Sequence, residues 1–340
     1  MPQNNLKDIY ILLVPRHRFM LSYDKIEITL ASYLSHSNTR HMSIKILTLL
    51  TLLASTLPAL SQEKMVKVNS INYHVLTKSL EQRKQGQPVL VFENGMGMGL
   101  GNWNTITDSL AKNAPVFLYD RQGVEKSEKV YQLPTPQRIA ANLKLLLTEL
   151  KIEPPYILVG HSMGGVYVRT FAGYYPNDVA GLVFVDPADF TETKADWNQV
   201  FRDIGVSEKR IDEMLQKRLY TPSKVDSSRY AAWSEGQVLT DLRKTDFAEL
   251  SSLPIPQVPI LFFVGGKLEV PIERRSKDYD HERFFEVKNS SNMLRWRRFI
   301  HSSSKGGALI YLSNSGHFVH RDDAAMVIGN IRMMLKALAK

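Results

Sequence analysis

The sequence predicts a doubly wound α/β fold, in which a mostly parallel sheet carries helices on both faces. Continuous apolar runs at residues 88–92 and 260–264 are typical of strands that are buried on both sides. Such runs alternate with segments whose apolar residues recur at helical spacing, which is the pattern of right-handed β-α-β units. The sharpest change between the two patterns lies at residues 156–169, where an apolar run meets a helix-compatible segment.

Local patterns predict the individual elements in chain order. Residues 65–76 alternate apolar and polar side chains, which predicts an edge hairpin. Further strands are predicted at residues 88–92, 115–119, 156–159, 181–185, 260–264 and 308–312. Helices are predicted at residues 102–111, 136–150, 164–175 and 323–338. A polar and basic stretch at residues 273–304 predicts a solvated helix face.

The composition is that of a globular chain with enough apolar residues for one large domain. Of 340 residues, 44% are hydrophobic and 23% are charged. Cysteine is absent from the sequence, which excludes disulfides, a cysteine-ligated metal site and a thiol nucleophile. The formal net charge of +9 is not collected in basic runs with interleaved aromatic residues, so no nucleic-acid partner is expected.

The first 61 residues have a composite pattern. From Met42, a short basic start leads into an apolar run over residues 46–57 and a small-x-small ending at Ser61, as in a secretory signal peptide. The run is shorter than the roughly 20 residues of a membrane span. The sequence therefore predicts an upstream extension at 1–41, a signal peptide at 42–61 and an exported domain at 62–340, periplasmic or extracellular. Alternatively, the apolar run anchors the protein to a membrane.

Ser162 is the candidate nucleophile, because it stands in the pattern Gly160-x-Ser162-x-Gly164 between the predicted strand and helix. In this context the pattern predicts a nucleophile elbow, a strained turn that exposes the serine hydroxyl. A Cβ atom at either glycine position would collide with the neighbouring strand or helix. Free N–H groups at the start of the helix would stabilise an oxyanion.

From about Val66 to the C-terminus, the sequence resembles members of the α/β-hydrolase superfamily. The matching segments are residues 91–97, 119–127, 160–165, 181–187 and 315–320, in the family's order. The resemblance implies the α/β-hydrolase fold with a helical cap insertion at about residues 188–255. Amphipathic spacing of residues such as Phe201 and Ile211 agrees with such a cap, although a helical decoration without substrate contact is the alternative.

A serine hydroxyl needs a base that takes its proton and an acid that orients that base. The resemblance implies the chain order nucleophile, acid, histidine, and His317 is the candidate base because it follows the last predicted strand. His320 is the second candidate and is expected to be structural. His161, beside the nucleophile, is expected to pack near the elbow.

The acid has two candidates. Relatives commonly carry Gly-x-x-Asp after the strand at 260–264, and this sequence has Gly266-x-x-Glu269 there, so Glu269 is preferred. Asp186, at the end of the preceding predicted strand, is the alternative, because some members of the superfamily carry their acid at that position. Otherwise Asp186 caps a turn before Pro187.

The resemblance also implies an oxyanion hole built from two backbone N–H groups, those of Met163 and Met96. Asn94 stands where many relatives have histidine, which leaves the backbone donor at Met96 available. Asp120 and Arg121 are expected to brace the loops through a turn salt bridge rather than to take part in catalysis.

These features predict a serine hydrolase that cleaves carboxylic esters through an acyl-enzyme, with a small-molecule substrate and no metal or organic cofactor. A serine nucleophile argues against dehalogenase and epoxide-hydrolase chemistry, which in this fold normally uses an aspartate. Amidase, aminopeptidase, lactonase, perhydrolase and acyltransferase activities use the same triad and stay open. A binding protein without turnover is the hypothesis from a different class. No stable membrane span is expected in the mature chain, and the sequence does not determine the oligomeric state.

Overall fold

A computed structural model describes residues 61–222 and 224–339, which form one sheet of eight strands with helices packed on both faces. The strands are β1 (Ser61–Val68), β2 (Ile71–Lys78), β3 (Val89–Glu93), β4 (Val116–Tyr119), β5 (Tyr156–His161), β6 (Val179–Val185), β7 (Ile260–Gly265) and β8 (Gly307–Leu312). Their spatial order is β1-β2-β4-β3-β5-β6-β7-β8. β1 and β2 form the antiparallel edge, and all pairs from β4 to β8 are parallel.

The α-helices of the described residues are α1 (Asn104–Ala111), α2 (Pro136–Glu149), α3 (Met163–Tyr174), α4 (Lys194–Asp203), α5 (Glu208–Leu215), α6 (Tyr230–Lys244), α7 (Ala248–Ser252), α8 (His281–His301), α9 (Val319–Asp322) and α10 (Ala324–Leu338). Short 3₁₀ helices lie at Leu80–Gln82, Leu100–Trp103, Pro176–Asp178 and Ile272–Arg274, and a π-helix lies at Gln216–Tyr220. Helices α4 to α7 form an insertion between β6 and β7, which is called the helical insertion below.

The core lies on both faces of the sheet because successive strand residues point to opposite sides. In β3, Val89 and Val91 belong to the core cluster that includes residues of α2, α3 and α8, whereas Leu90 and Phe92 belong to the cluster that includes residues of α1 and α10. All four side chains are fully buried. This explains why the central strands are continuous apolar runs rather than alternating ones.

Parallel strands bring their carboxyl ends to one edge of the sheet, where α/β folds bind their ligands. At this edge, Ser162 follows β5, Asp186 follows β6 and Glu269 lies in the loop after β7. His317 lies between β8 and α9. The topology therefore collects the polar residues that the sequence analysis singled out.

The structure confirms the predicted fold class, with a mostly parallel sheet and crossover helices. The expectation of a solvated face over residues 273–304 is wrong in part. Arg295 and Trp296 of α8 are buried, because this helix packs against the sheet and contributes to the core. No described helix has the length and apolar character needed to cross a bilayer. The predicted extension and all but the last residue of the predicted signal peptide lie outside the described residues.

Candidate active site

Ser162 occupies a tight turn between β5 and α3, with φ 52° and ψ −120°. A Cβ atom on Gly160 would lie 2.6 Å from the carbonyl oxygen of Gly164. A Cβ atom on Gly164 would lie 2.3 Å from the carbonyl oxygen of Glu93 in β3. The two flanking glycines therefore allow the close approach of strand and helix that holds the serine in a left-handed, strained conformation.

The backbone of Ser162 is held by three hydrogen bonds, while its side chain does not cap the helix. Its N–H donates to Val185 O at 3.2 Å, and its carbonyl accepts from Gly165 N at 3.0 Å and Ala188 N at 2.9 Å. The hydroxyl makes no side-chain cap to α3. These bonds hold the turn in place. The Ser162 Oγ atom does not cap the first turn of α3.

His317 is oriented by the carboxylate of Asp186. His317 Nδ1 lies 2.7 Å from Asp186 Oδ2, and Oδ1 of the same carboxylate accepts from Gly265 N at 3.0 Å. Asp186 itself adopts a positive φ of 41°, which aspartate tolerates better than most residues. Because a carboxylate accepts, Nδ1 carries the proton and Nε2 of the neutral ring keeps a free lone pair.

The preference for Glu269 as the partner of the imidazole is wrong. Glu269 Oε2 accepts the backbone N–H of His317 at 2.9 Å, and its carboxylate lies so close to Gly316 that a Cβ there would be 2.0 Å from Oε1. The longer side chain therefore lies along the backbone of the histidine loop. Asp186, the second candidate, contacts the ring instead.

His161 packs beneath the elbow, as expected. Its Nε2–H donates to His317 O at 3.0 Å, and Asn102 Nδ2 lies 3.4 Å from its Nδ1. Burial lowers the pKa of His161 to about 2, with a smaller contribution from the neighbouring His317. A neutral His161 and Glu269 thus bind both backbone polar groups of His317, while Asp186 binds its ring.

His320 is fully buried between Asn102 and Trp103, as expected for a structural residue. Its Nε2–H donates to Asn102 O at 3.0 Å, and its ring lies 4.4 Å from that of Trp103. Burial lowers the pKa of His320 to about 4. The imidazole that meets Asp186 is that of His317, so the second candidate base does not lie in an equivalent position.

The backbone N–H groups of Met163 and Met96 are the two donors that the sequence analysis names for an oxyanion hole. Met163 is the first residue of α3, and the first N–H groups of a helix have no partner within that helix. Met96 lies in the loop after β3. Within residues 61–222 and 224–339, neither N–H donates to a protein acceptor. Both groups are therefore available to a developing negative charge.

A buried arginine holds the loop that carries Met96. The Arg121 side chain is fully buried and donates to the carbonyl oxygens of Asn94 at 2.8 Å and Gly95 at 2.7 Å. It also contacts Glu93 at 3.2 Å and Glu235 at 2.7 Å. The expectation that this residue braces the loops is confirmed.

The partners of Arg121 differ from the expected turn salt bridge. Asp120 instead contacts His74 Nδ1 at 2.6 Å and accepts from Leu100 N at 2.7 Å. The sequence analysis missed Glu93 and Glu235 as partners. Glu93 could have been noticed, because a carboxylate at the end of a buried apolar strand needs a partner, whereas Glu235 has no such local signal.

The helical insertion packs onto the same loop. Gly97 has a positive φ of 63°, and a Cβ atom on it would lie 2.6 Å from the Cβ of Ala232 in α6. Gly236, one turn further along α6, faces the sulfur of Met96 at 3.7 Å from its own hypothetical Cβ. The helical insertion therefore contacts a loop of the candidate site.

Comparison with known proteins supports the same fold. A family model described as the alpha/beta hydrolase fold matches residues 88–252. The chain is 30% identical over 127 residues to the uncharacterized protein YqjL of Bacillus subtilis (strain 168), which covers 37% of this chain and 48% of that protein. It is 28% identical over 130 residues to a (lyso)-N-acylphosphatidylethanolamine lipase of Bos taurus, which covers 37% of this chain and 38% of that protein. The aligned part is less than half the length of either relative.

Among solved structures, the ligand-free epoxide hydrolase CorEH superimposes with a TM-score of 0.53 at 17% identity. The superposition covers 82% of this chain and 100% of the CorEH chain. At this identity the likeness concerns the fold alone. The family model and the eight-stranded sheet with its turn at Ser162 agree that the chain has the α/β-hydrolase fold.

Proposed function

We propose that the protein is a serine hydrolase that cleaves carboxylic esters, with Ser162, His317 and Asp186 as its catalytic triad. One observation carries the proposal: His317 Nδ1 lies 2.7 Å from Asp186 Oδ2, at the sheet edge where Ser162 occupies its strained turn. This gives the triad a base whose proton is held on the ring nitrogen away from the nucleophile. Asp186 replaces Glu269 as the proposed acid.

In the proposed reaction, Ser162 Oγ attacks the ester carbonyl carbon while His317 Nε2 takes the hydroxyl proton. The negative charge of the tetrahedral intermediate lies on the former carbonyl oxygen. This oxygen accepts hydrogen bonds from the N–H groups of Met163 and Met96. The Asp186 carboxylate stabilises the imidazolium that forms. His317 then gives its proton to the leaving alkoxide, and the acyl group stays on Ser162.

The second half of the reaction releases the acyl-enzyme. Water attacks the acyl carbonyl carbon while His317 Nε2 takes a proton from the water, and the same two N–H groups donate hydrogen bonds to the new oxyanion. Collapse of this intermediate breaks the bond to Ser162 Oγ, which takes the proton back from His317. The products are an alcohol and a carboxylic acid, and no step uses a metal or an organic cofactor.

Two considerations favour esters among the substrates of such a triad. The bovine relative is named as a lipase, and a serine at the elbow argues against the ring opening that epoxide hydrolases of this fold perform with an aspartate. Amides, lactones and acyl transfer to an acceptor other than water need the same groups. A substrate screen is therefore needed to distinguish these activities from ester hydrolysis.

The test is hydrolysis of short-chain nitrophenyl esters by the purified protein, with Ser162→Ala as the nucleophile variant and Ser251→Ala as the control. Ser251 is an exposed residue of α7. We expect turnover that is lost in Ser162→Ala and kept in Ser251→Ala. Labelling of Ser162 by a fluorophosphonate without ester turnover would indicate another substrate for the same nucleophile. Absence of both turnover and labelling would overturn the proposal in favour of a binding protein.

A further inference from the structure

The loop after β3 is held on both sides of Met96 by one buried ion pair. Arg121 donates to the carbonyl oxygens of the two residues before Met96, at 2.8 and 2.7 Å. Glu235, from α6 of the helical insertion, accepts the N–H of the residue after Met96 at 2.8 Å through Oε2. The residues on both sides of Met96 are therefore held in place, while the N–H of Met96 itself is free.

The two charged groups also hold each other. Arg121 Nε lies 2.7 Å from Glu235 Oε1, and Arg121 Nη2 lies 2.9 Å from Glu235 Oε2. Such a two-point contact fixes the relative orientation of the groups as well as their distance. Both side chains are at most 2% exposed. Burial alone would lower the pKa of Arg121, but Glu235 and Glu93 raise it, so the guanidinium stays charged.

Because the peptide bond is planar, these contacts also determine the direction in which the Met96 N–H points. The carbonyl of Gly95 and the N–H of Met96 belong to one planar trans unit and point in opposite directions. Arg121, by binding Gly95 O, therefore also sets where the Met96 N–H points. The next unit holds the Met96 carbonyl and the Gly97 N–H, and Glu235 fixes that one.

We propose that Glu235 is a positioning residue that, together with Arg121, aims the Met96 N–H at the oxyanion. The inference rests on the proposed function, in which this N–H is one of two donors to the tetrahedral intermediate. It makes the helical insertion a part of the catalytic apparatus, since Glu235 reaches the loop from α6. Glu235 does not touch the substrate and acts through the backbone of residues 95–97.

The informative variant is Glu235→Gln in the full chain. Three N–H donors converge on the carboxylate, from Arg121 Nε, Arg121 Nη2 and Gly97 N. A carboxamide of the same shape has one acceptor oxygen, so at least one donor loses its partner. Val238→Ala is the matched control, because Val238 is a buried residue on the same helix and its side chain has no polar group that could bind the loop.

We expect kcat of Glu235→Gln to fall about 10- to 100-fold with KM within about threefold of wild type, since a misaligned donor is lost mainly in the transition state. Val238→Ala should keep kcat within about twofold. Hydrogen exchange measured by mass spectrometry should become faster over residues 94–98 in Glu235→Gln alone.

Each outcome bears on one of the two proposals. If the wild type hydrolyses esters and both variants lose kcat equally, or neither loses it, the positioning role is wrong while the serine mechanism stands. If the wild type neither turns over nor is labelled at Ser162, the proposed function fails. Exchange over residues 94–98 then still decides whether Glu235 holds the loop, and unchanged exchange in Glu235→Gln overturns that role.

Discussion

The carboxylate of Asp186 lies 2.7 Å from Nδ1 of His317, although the two residues are 131 positions apart in the chain. β6 and β7 are parallel neighbours, and β7 in turn pairs with β8. The loops that leave these strands therefore meet at one edge. Glu269 reaches the same histidine from the loop after β7, but it binds the backbone rather than the ring.

This arrangement predicts different effects for the two acidic residues. Asp186→Asn should lower kcat by about 10⁴-fold, because an amide no longer holds the reactive imidazole tautomer or stabilises the imidazolium. Glu269→Gln should lower kcat by less than about tenfold, because its amide oxygen still accepts the His317 N–H. The measurement is kcat on an ester that the wild type hydrolyses. A 10⁴-fold loss in Glu269→Gln alone would restore Glu269 as the acid.

Local patterns in the sequence were sufficient to predict the sheet and the tight turn at Ser162. Apolar runs identify buried strands. The glycines around Ser162 are needed because strand and helix approach so closely there that a Cβ atom has no room. The choice between Asp186 and Glu269 depends on how loops from three strands meet, which no local pattern contains. Glu235 lies in a helix of mixed composition, and its partner Arg121 is 114 positions away, so its role became visible only from the contacts.

Substitutions of two glycines should have opposite effects on stability. Gly164→Ala places a Cβ 2.3 Å from the Glu93 carbonyl oxygen, and forced backbone shifts of this kind cost about 1–3 kcal/mol. Gly329→Ala, in the middle of α10, meets nothing within 4 Å and should raise the free energy of unfolding by about 0.5–1 kcal/mol. Urea unfolding of both variants provides the measurement. Equal effects at the two positions would contradict the steric account of the elbow.

We further propose export of the protein after removal of residues up to Ser61. The resulting chain would begin at Gln62, which pairs with Thr77 in the β1–β2 ladder, so cleavage removes one residue of β1 and keeps the rest of its register. N-terminal sequencing of protein recovered outside the cytoplasm should therefore read Gln-Glu-Lys-Met. A secreted chain that begins well before Gln62, or a protein retained in the membrane fraction, would favour the membrane-anchor alternative.

Three buried groups make stability depend on pH near 5.5. His161 and His320 have ordinary pKa values of 6.5, which burial lowers to about 2 and about 4. Their contribution to stability is present above pH 6.5 and is lost as the pH falls, because the unfolded chain then binds two more protons. Burial raises the pKa of Glu93 from 4.5 to about 7 in spite of Arg121. Its contribution is complete below pH 4.5 and is lost as the pH rises towards 7.

Between pH 4.5 and 6.5 the unfolded chain therefore binds two more protons than the folded chain at the histidines and one fewer at Glu93. The net difference is one proton more in the unfolded chain. For these three groups, the free energy of unfolding should fall by about 1 kcal/mol for each unit of acidification. His320→Gln removes one of the histidine protons and should make this part of the profile nearly flat. Trp103→Phe trims the ring that packs on His320 and should lower stability without changing the slope. Urea unfolding at pH 5.0, 5.5 and 6.0 compares the slopes, and a His320→Gln slope equal to that of the wild type would show that His320 is not a neutral buried histidine.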